Sequence, residues 1–306
     1  MSQRRRHRLI CLVALLAAGL SHAAEDDGYV LFLDEYLHGD FYVAALGDVD
    51  ARGVHYIRPR RLRMPWPFGT AYEIGNADVS IDGRTIVFAA RHEDELDWDI
   101  YAGTLDLSRN RVLDVEKIIG ESGTREEDPR FSWDGGQIVY KCDGNICVYP
   151  GDFGNPAVAS SCELWAPAFD PSGYTISYGA RCGDAASDRL RQTELLTGKT
   201  VEIPNAGGGA DRFAQFANDG RLVYSHIDST TGTSSLWTYD SGFSQPLLDR
   251  TYSDDDPYPD KRDSNHIAFI GWQDDGYDLF IYRADRNDAV QLTRGISVLG
   301  PVLFRR

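Results

Sequence analysis

Along this chain short runs of apolar residues alternate one for one with polar residues, and the runs are separated by Gly, Asp and Asn. "IVFAA" from Ile86, "IVYKC" from Ile138, "TISYG" from Thr175, "LVYSH" from Leu222 and "IAFIG" from Ile267 are the clearest. A period of two with turn residues between runs predicts half-buried β-strands, and no window carries the 3.6-residue period of an amphipathic helix. The strands also recur in sets. Units beginning at Asn76, Glu126, Leu164, Ala210 and Asp254 each give a short strand, a turn, an alternating apolar strand, a polar loop and a third strand. A fourth strand usually follows, as in "RVLDVEKI", "KTVEI" and "AVQLT". Four antiparallel strands repeating every ~45 residues is the pattern of a propeller blade.

Five units leave both ends of the chain over. The N-terminal part supplies three strands, in "YVLFLDEYLHGDFYVAAL" and "GVHYIRP", with no inner strand before them. The C-terminus supplies an inner strand, "LGPVLF", with nothing after it. Joined, they make a sixth blade, and closing the ring removes sheet edges that invite aggregation. The expected fold is all-β: a six-bladed propeller of four-stranded antiparallel blades, one domain over residues 24–306, closed by pairing the N-terminal strands with the C-terminal one.

The units "DPRFSWDGGQIVY", "PAFDPSGYTISY" and "DVSIDGRTIVF" resemble the TolB-like propeller repeat, whose core reads Asp-Pro-x-Phe-Ser-Pro-Asp-Gly-x-x-Ile-x-Phe. Gly83, Gly135, Gly173 and Gly220 fall on its turn position, whereas the last complete unit has "KRDSN" there. The resemblance covers nearly all of residues 24–306 and is to the propeller only, without the N-terminal domain of TolB. It implies a propeller of the bacterial cell envelope that engages a protein or peptide partner.

The first 23 residues change the picture of compartment. "MSQRRRHR" is a basic segment, "LICLVALLAAGL" is too short to span a bilayer, and "SHA" presents small residues for cleavage after Ala23. A signal peptide at 1–23 is expected, with a periplasmic or secreted mature chain that has no membrane span. Removing its four arginines takes the formal charge from −16 to −20. So acidic a surface repels nucleic acid, whose binding depends on neutralising phosphate.

Cys142, Cys147, Cys162 and Cys182 cluster in one stretch, and an even set in an exported chain points to disulfides. "CDGNIC" places Cys142 and Cys147 across a hairpin, and folding about the turn at Asp170–Gly173 brings Cys162 to Cys182. Pairs 142–147 and 162–182 are expected. Zinc is disfavoured, because the spacing is not C-x-x-C and no His lies among them.

Catalytic motifs are missing from the sequence. There is no Gly-x-Ser-x-Gly elbow, and "HEDEL" from His92 lacks the second His of a zinc helix. "DVDARG" from Asp48 has Pro59 where a calcium loop needs Glu, and "AGGGADR" from Ala206 leads into a strand instead of a helix. His92, His226 and His266 remain as a set that folding would have to gather before it held a metal. No cofactor or metal is expected.

The loops entering the inner strands, "GESGTREEDP", "RTYSDDDP", "AGGGADR" and "EIGNAD", ring one mouth of a propeller channel. They place Glu126, Glu127, Asp128, Asp254, Asp255, Asp256, Asp211 and Asp78 at that mouth as the candidate partner-binding residues. Like charges gathered between low-dielectric walls focus a negative field that attracts a basic segment. The competing reading of these acids is as turn and strand caps. The function expected is a monomeric, non-catalytic propeller binding a protein or peptide partner at this mouth. The alternative is a lyase or hydrolase acting on a carbohydrate or lactone through the mouth carboxylates or a metal.

Overall fold

A computed structural model describes residues 28–34, 40–46, 57–68, 70–120, 123–151, 155–183, 187–205, 207–248, 250, 253–273 and 276–306. The expected signal peptide lies outside them. Every regular element among the described residues is a strand, and the strands form six antiparallel sheets arranged as blades. From inner to outer strand, blade 1 is Tyr72–Val79, Thr85–His92, Asp99–Asp106 and Arg111–Ile119. Blade 2 is Glu126–Phe131, Ile138–Cys142 and Asn145–Tyr149; blade 3 is Glu163–Phe169, Thr175–Arg181, Arg189–Glu194 and Thr200–Glu202. Blade 4 is Ala210–Phe216, Leu222–Ile227, Ser234–Asp240 and Phe243–Leu248; blade 5 is Asp254–Pro259, His266–Gln273, Gly276–Arg283 and Asp288–Gln291. The closing blade takes its inner strand, Val298–Arg305, from the C-terminus and Gly28–Asp34, Asp40–Ala45 and Arg60–Arg61 from the N-terminal part.

Each inner strand packs against the next, so the six line a central channel. The closure read from the sequence is present: Tyr29 pairs with Phe304, Val30 with Leu303 and Asp34 with Val298. It is also core, because the largest apolar cluster joins the closing blade to blades 1 and 5 through Val30, Phe32, Phe88, Ile270, Val302 and Phe304. Burying such side chains contributes about 1.5–3 kcal/mol each.

Two details depart from the sequence pattern. In blade 2 the fourth strand is reduced to one bridge, with Val158 and Ile146 exchanging backbone hydrogen bonds of 3.0 and 3.1 Å. The third strand of the closing blade is Arg60–Arg61, not "GVHYIRP", of which residues 53–56 lie outside the described set. The Ile57 amide instead donates to Leu292 O of blade 5 at 2.9 Å, which draws this segment to the neighbouring blade.

The turns after the inner strands follow the repeat. In blade 1 the Gly83 amide donates to Ser80 O at 2.8 Å and the Ser80 hydroxyl donates to Asp82 at 2.6 Å. Gly83 has φ +70°, and a Cβ there would lie 2.5 Å from Arg305 O of the closing blade. Only glycine fits both demands. Both expected disulfides are formed, Cys142–Cys147 and Cys162–Cys182. No helix of the described residues is long and apolar enough to cross a membrane.

Candidate functional site

The channel wall is built by a β-bulge in every inner strand. Register shifts fall at the same place in each, between Glu127 and Arg130 in blade 2 and between Asp255 and Tyr258 in blade 5. The bulged residue is left-handed in five blades: Asp128 (φ 53°), Ala166 (46°), Phe213 (52°), Asp256 (49°) and Gly300 (54°). Asn76 holds the corresponding position in blade 1, where the shift lies between Ile74 and Ala77. Pro129, Pro167, Pro257 and Pro301 come next in four of them, and proline has no N–H for the ladder, so pairing breaks there. A bulge re-aims its side chain, and here it aims at the channel.

Blades 2 and 5 face each other across the ring, so Asp128 and Asp256 are opposed. Asp128 accepts from Asn76 Nδ2 at 2.5 Å and from the Ala166 amide at 3.1 Å, which ties blades 1, 2 and 3 together. Asp256 accepts from the Gly300 amide, and its own amide donates to Ser225 Oγ at 3.1 Å. Burial deep in the channel wall pushes the Asp256 carboxyl up to about 7. The Asp255 and Asp128 charges add to the rise and Arg130 opposes it. Asp255 is raised as well, first by burial, against hydrogen bonds from Ser225 and the Asp256 amide.

Beyond the bulge the channel is plugged. Asp78 of blade 1, fully buried, accepts from Tyr258 of blade 5, from Lys261 Nζ at 2.8 Å and from the amides of Val79 at 2.8 Å and Phe131 at 2.7 Å. Arg130 lies beside it, donating to Ala77 O at 2.6 Å and Pro129 O at 3.0 Å, 5.8 Å from the Tyr258 ring. Its Nε has no hydrogen-bond partner among the described residues.

Of the eight acids expected at the mouth, the structure brings together Asp128, Asp255 and Asp256. Glu126, Asp211 and Asp254 share one register position in blades 2, 4 and 5, but they turn away from the channel onto their own sheets. Asp254 is bound by Arg250, with Nε at 3.0 Å, and Asp211 by His226 Nδ1 at 2.7 Å. Burial raises the pKa of both acids against those partners. Glu126 is buried against the Cys142–Cys147 disulfide. Glu127 forms ion pairs with Arg125 at 2.8 Å and Lys141 at 3.4 Å. Asp78 lies past the bulge instead of at the mouth. Asn76, Arg130, Tyr258, Lys261 and Gly300 were not singled out from the sequence; a residue directly before or after an inner-strand proline is the signal that finds all but Asn76 and Lys261.

The three histidines do not meet. His92 and His226 lie at the mouth ends of opposed blades, beside Tyr72 and Asp211, and His266 is at the other end of blade 5, bound to Asp263 at 2.6 Å. Among the described residues no three His, Cys, Asp or Glu side chains converge as a metal site.

No known protein family profile matches the chain, and no curated protein sequence does. Solved structures do resemble it. TolB from Acinetobacter baumannii superposes with a TM-score of 0.63 at 15% identity, over 90% of this chain and 66% of that one. A putative TolB from Agrobacterium tumefaciens gives 0.61 at 13% identity, over 92% and 98%. A chain of a nidogen/laminin complex gives 0.66 at 10% identity, over 90% and 98%. This chain thus spans just under two thirds of the A. baumannii protein. What is shared at these identities is the six-bladed propeller.

Proposed function

We propose that this chain is an exported, non-catalytic propeller of the bacterial envelope that binds a basic protein or peptide segment at the acidic mouth of its channel. One observation carries the reading: Asp128 and Asp256 stand on facing walls of the channel, with Asp255 beside Asp256, and none of the three has a salt bridge among the described residues. Their neighbours along the same strands, Asp254 and Glu127, and Asp78 of blade 1 are each paired with Arg or Lys. A cation entering the channel favours the ionised form of Asp256, so binding releases a proton and tightens as pH rises through about 7. The TolB-like fold and the two disulfides support an envelope setting.

Crosslinking in the native envelope identifies the partner, and Asp128, Asp255 and Asp256 are then changed together to Asn. Association slows and its salt dependence flattens, as when steering charges are removed. The same change at exposed Asp285 does little. A folded triple variant that binds its partner unchanged overturns the reading. One observation favours catalysis as a second reading: a carboxyl titrating near neutrality opposite another carboxylate is what acid–base chemistry uses. Turnover of an oligosaccharide or lactone that Asp256→Asn abolishes, with binding intact, selects it.

A further inference from the structure

Blades 2 and 5 share a register that the channel does not use. In blade 5, Asp254 pairs with Gly271 and Phe269 with Phe280; in blade 2 the same positions hold Glu126 with Cys142 and Tyr140 with Cys147. The blade 5 set is a socket filled by the chain's own arginine. Arg250 binds the fully buried Asp254 through Nε and Nη2, and its guanidinium lies 4.1 Å from the Phe280 ring centre and 5.2 Å from that of Phe269. A Cβ at Gly271 would come within 2.7 Å of Arg250 Nη2, so the glycine leaves the room that the guanidinium occupies.

In blade 2 the same register positions line a cavity, and none of its described lining residues is a Lys or Arg. Four residues before Glu126 the sequence has Ser122, where blade 5 has Arg250 four residues before Asp254. A half-open cavity of about 150 Å³ lies there, walled by Glu126, Tyr140, Asp143, Asn145 and the Cys142–Cys147 disulfide. The wall carries two carboxylates and no Lys or Arg among the described residues. Glu126 is 5% exposed and Cys147 likewise, so a carboxyl group and an apolar sulfur surface stand side by side below the opening. That combination suits a guanidinium, which is weakly hydrated, stacks on flat or polarisable surfaces and pairs with a carboxylate through two N–H groups. An ammonium is a compact, strongly hydrated charge and gains less there.

We infer that the blade 2 cavity is a guanidinium socket, taking the head of an arginine presented by the binding partner, with Glu126 as counter-ion and Tyr140 and the disulfide as its apolar wall. This rests on the partner reading above and adds its chemistry: the bound segment carries an arginine placed to reach the rim between blades 1 and 2 while its other basic groups face the channel.

The test needs no partner. N-acetyl-L-arginine methylamide is titrated into the mature chain while backbone amide signals are followed by NMR, beside the isosteric neutral citrulline compound and the lysine compound. Saturable shifts centred on Thr124, Asp143 and Asn145 are expected for the arginine probe, with the other two weaker by about tenfold or more. Glu126→Gln weakens the arginine probe by a similar factor. Thr124→Trp, at the rim, blocks it without touching the carboxylate. Equal response to arginine and citrulline, or full binding to a folded Glu126→Gln protein or to Thr124→Trp, overturns the socket. Because no partner is present, such a failure leaves the channel reading standing, and an unchanged triple Asn variant leaves the socket standing.

Discussion

Tyr258 of blade 5 donates its hydroxyl hydrogen to Asp78 of blade 1, reaching past the inner strand of the closing blade that separates them. With Lys261 and two backbone amides on the same carboxylate, this contact holds the ring together from inside the channel. Removing the hydroxyl in Tyr258→Phe should cost about 1.5–3 kcal/mol, the range for a hydrogen bond to a charged group. Asp78→Ala strands the Lys261 charge and should cost about 3–5 kcal/mol. Urea unfolding of the two single variants and the double gives the coupling; strict additivity would mean that the two residues do not act together.

Asp256 sets a pH dependence of known sign. Its carboxyl is raised in the folded state to about 7 from an ordinary value of 3.8, so between those values the folded chain holds a proton that the unfolded chain has lost. Stability from this group is therefore present at low pH and is lost as pH rises from about 4 through 7. Asp256→Asn should flatten that slope and leave the protein more stable than the parent at about pH 8. A parent and variant with parallel stability profiles over this range would show that Asp256 titrates normally.

The sequence told more about the frame than about the site, for a physical reason. Strand alternation and turn glycines are local signals, so the blades and the pairing of "LGPVLF" with the N-terminal strands are legible in the sequence. Both disulfides followed from hairpin geometry. Side-chain direction was not legible, because the bulge at Asp128 and Asp256 inserts one residue and reverses which side chains face the channel. As adjacent acids in the sequence Glu127 and Asp128 look alike, yet one pairs with Arg125 and Lys141 and the other lines the channel. Partners distant in sequence were equally hidden: nothing near Asp78 announces a residue 180 positions away.

Deleting residues 298–306 should open the ring. It removes the strand paired with Gly28–Asp34 and the ion pairs from Arg305 to Asp260 and Asp263, the latter at 2.9 Å. It also exposes Val30, Phe32 and Ile270, which pack against that strand's cluster. Aggregation or loss of cooperative unfolding is expected, far beyond the effect of trimming a frayed end. Light scattering and thermal melting decide it, and a monomer with the parent's melting temperature would refute closure as a source of stability.

The two disulfides should differ in weight and in lability. Cys162–Cys182 spans 20 residues, so its loss should cost about 3 kcal/mol through the unfolded chain, whereas Cys142–Cys147 spans only 5 and should cost less. Arg191 donates to Cys182 Sγ at 3.4 Å and Cys162 Sγ at 3.7 Å, and a cation there stabilises a departing thiolate. Cys147 of the other pair is buried. Graded dithiothreitol with peptide mapping should open 162–182 first, and Arg191→Gln should remove that preference. Simultaneous opening in the parent would mean that neither the guanidinium nor the burial of Cys147 sets the order.

Arg250→Ala should turn blade 5 into a copy of the blade 2 cavity. It leaves Asp254 buried without its cation, a loss of about 3–5 kcal/mol, and takes the guanidinium off Phe269 and Phe280. The space left has the shape of the missing group, so N-ethylguanidinium at millimolar concentration should restore part of the lost melting temperature. Ethylammonium, of equal charge but poor stacking, should restore less. The parent, whose own arginine fills the space, should gain nothing from the blade 5 site. Equal rescue of the variant by both cations would mean that the socket recognises charge alone, and equal effects on variant and parent would mean that neither cation fills it.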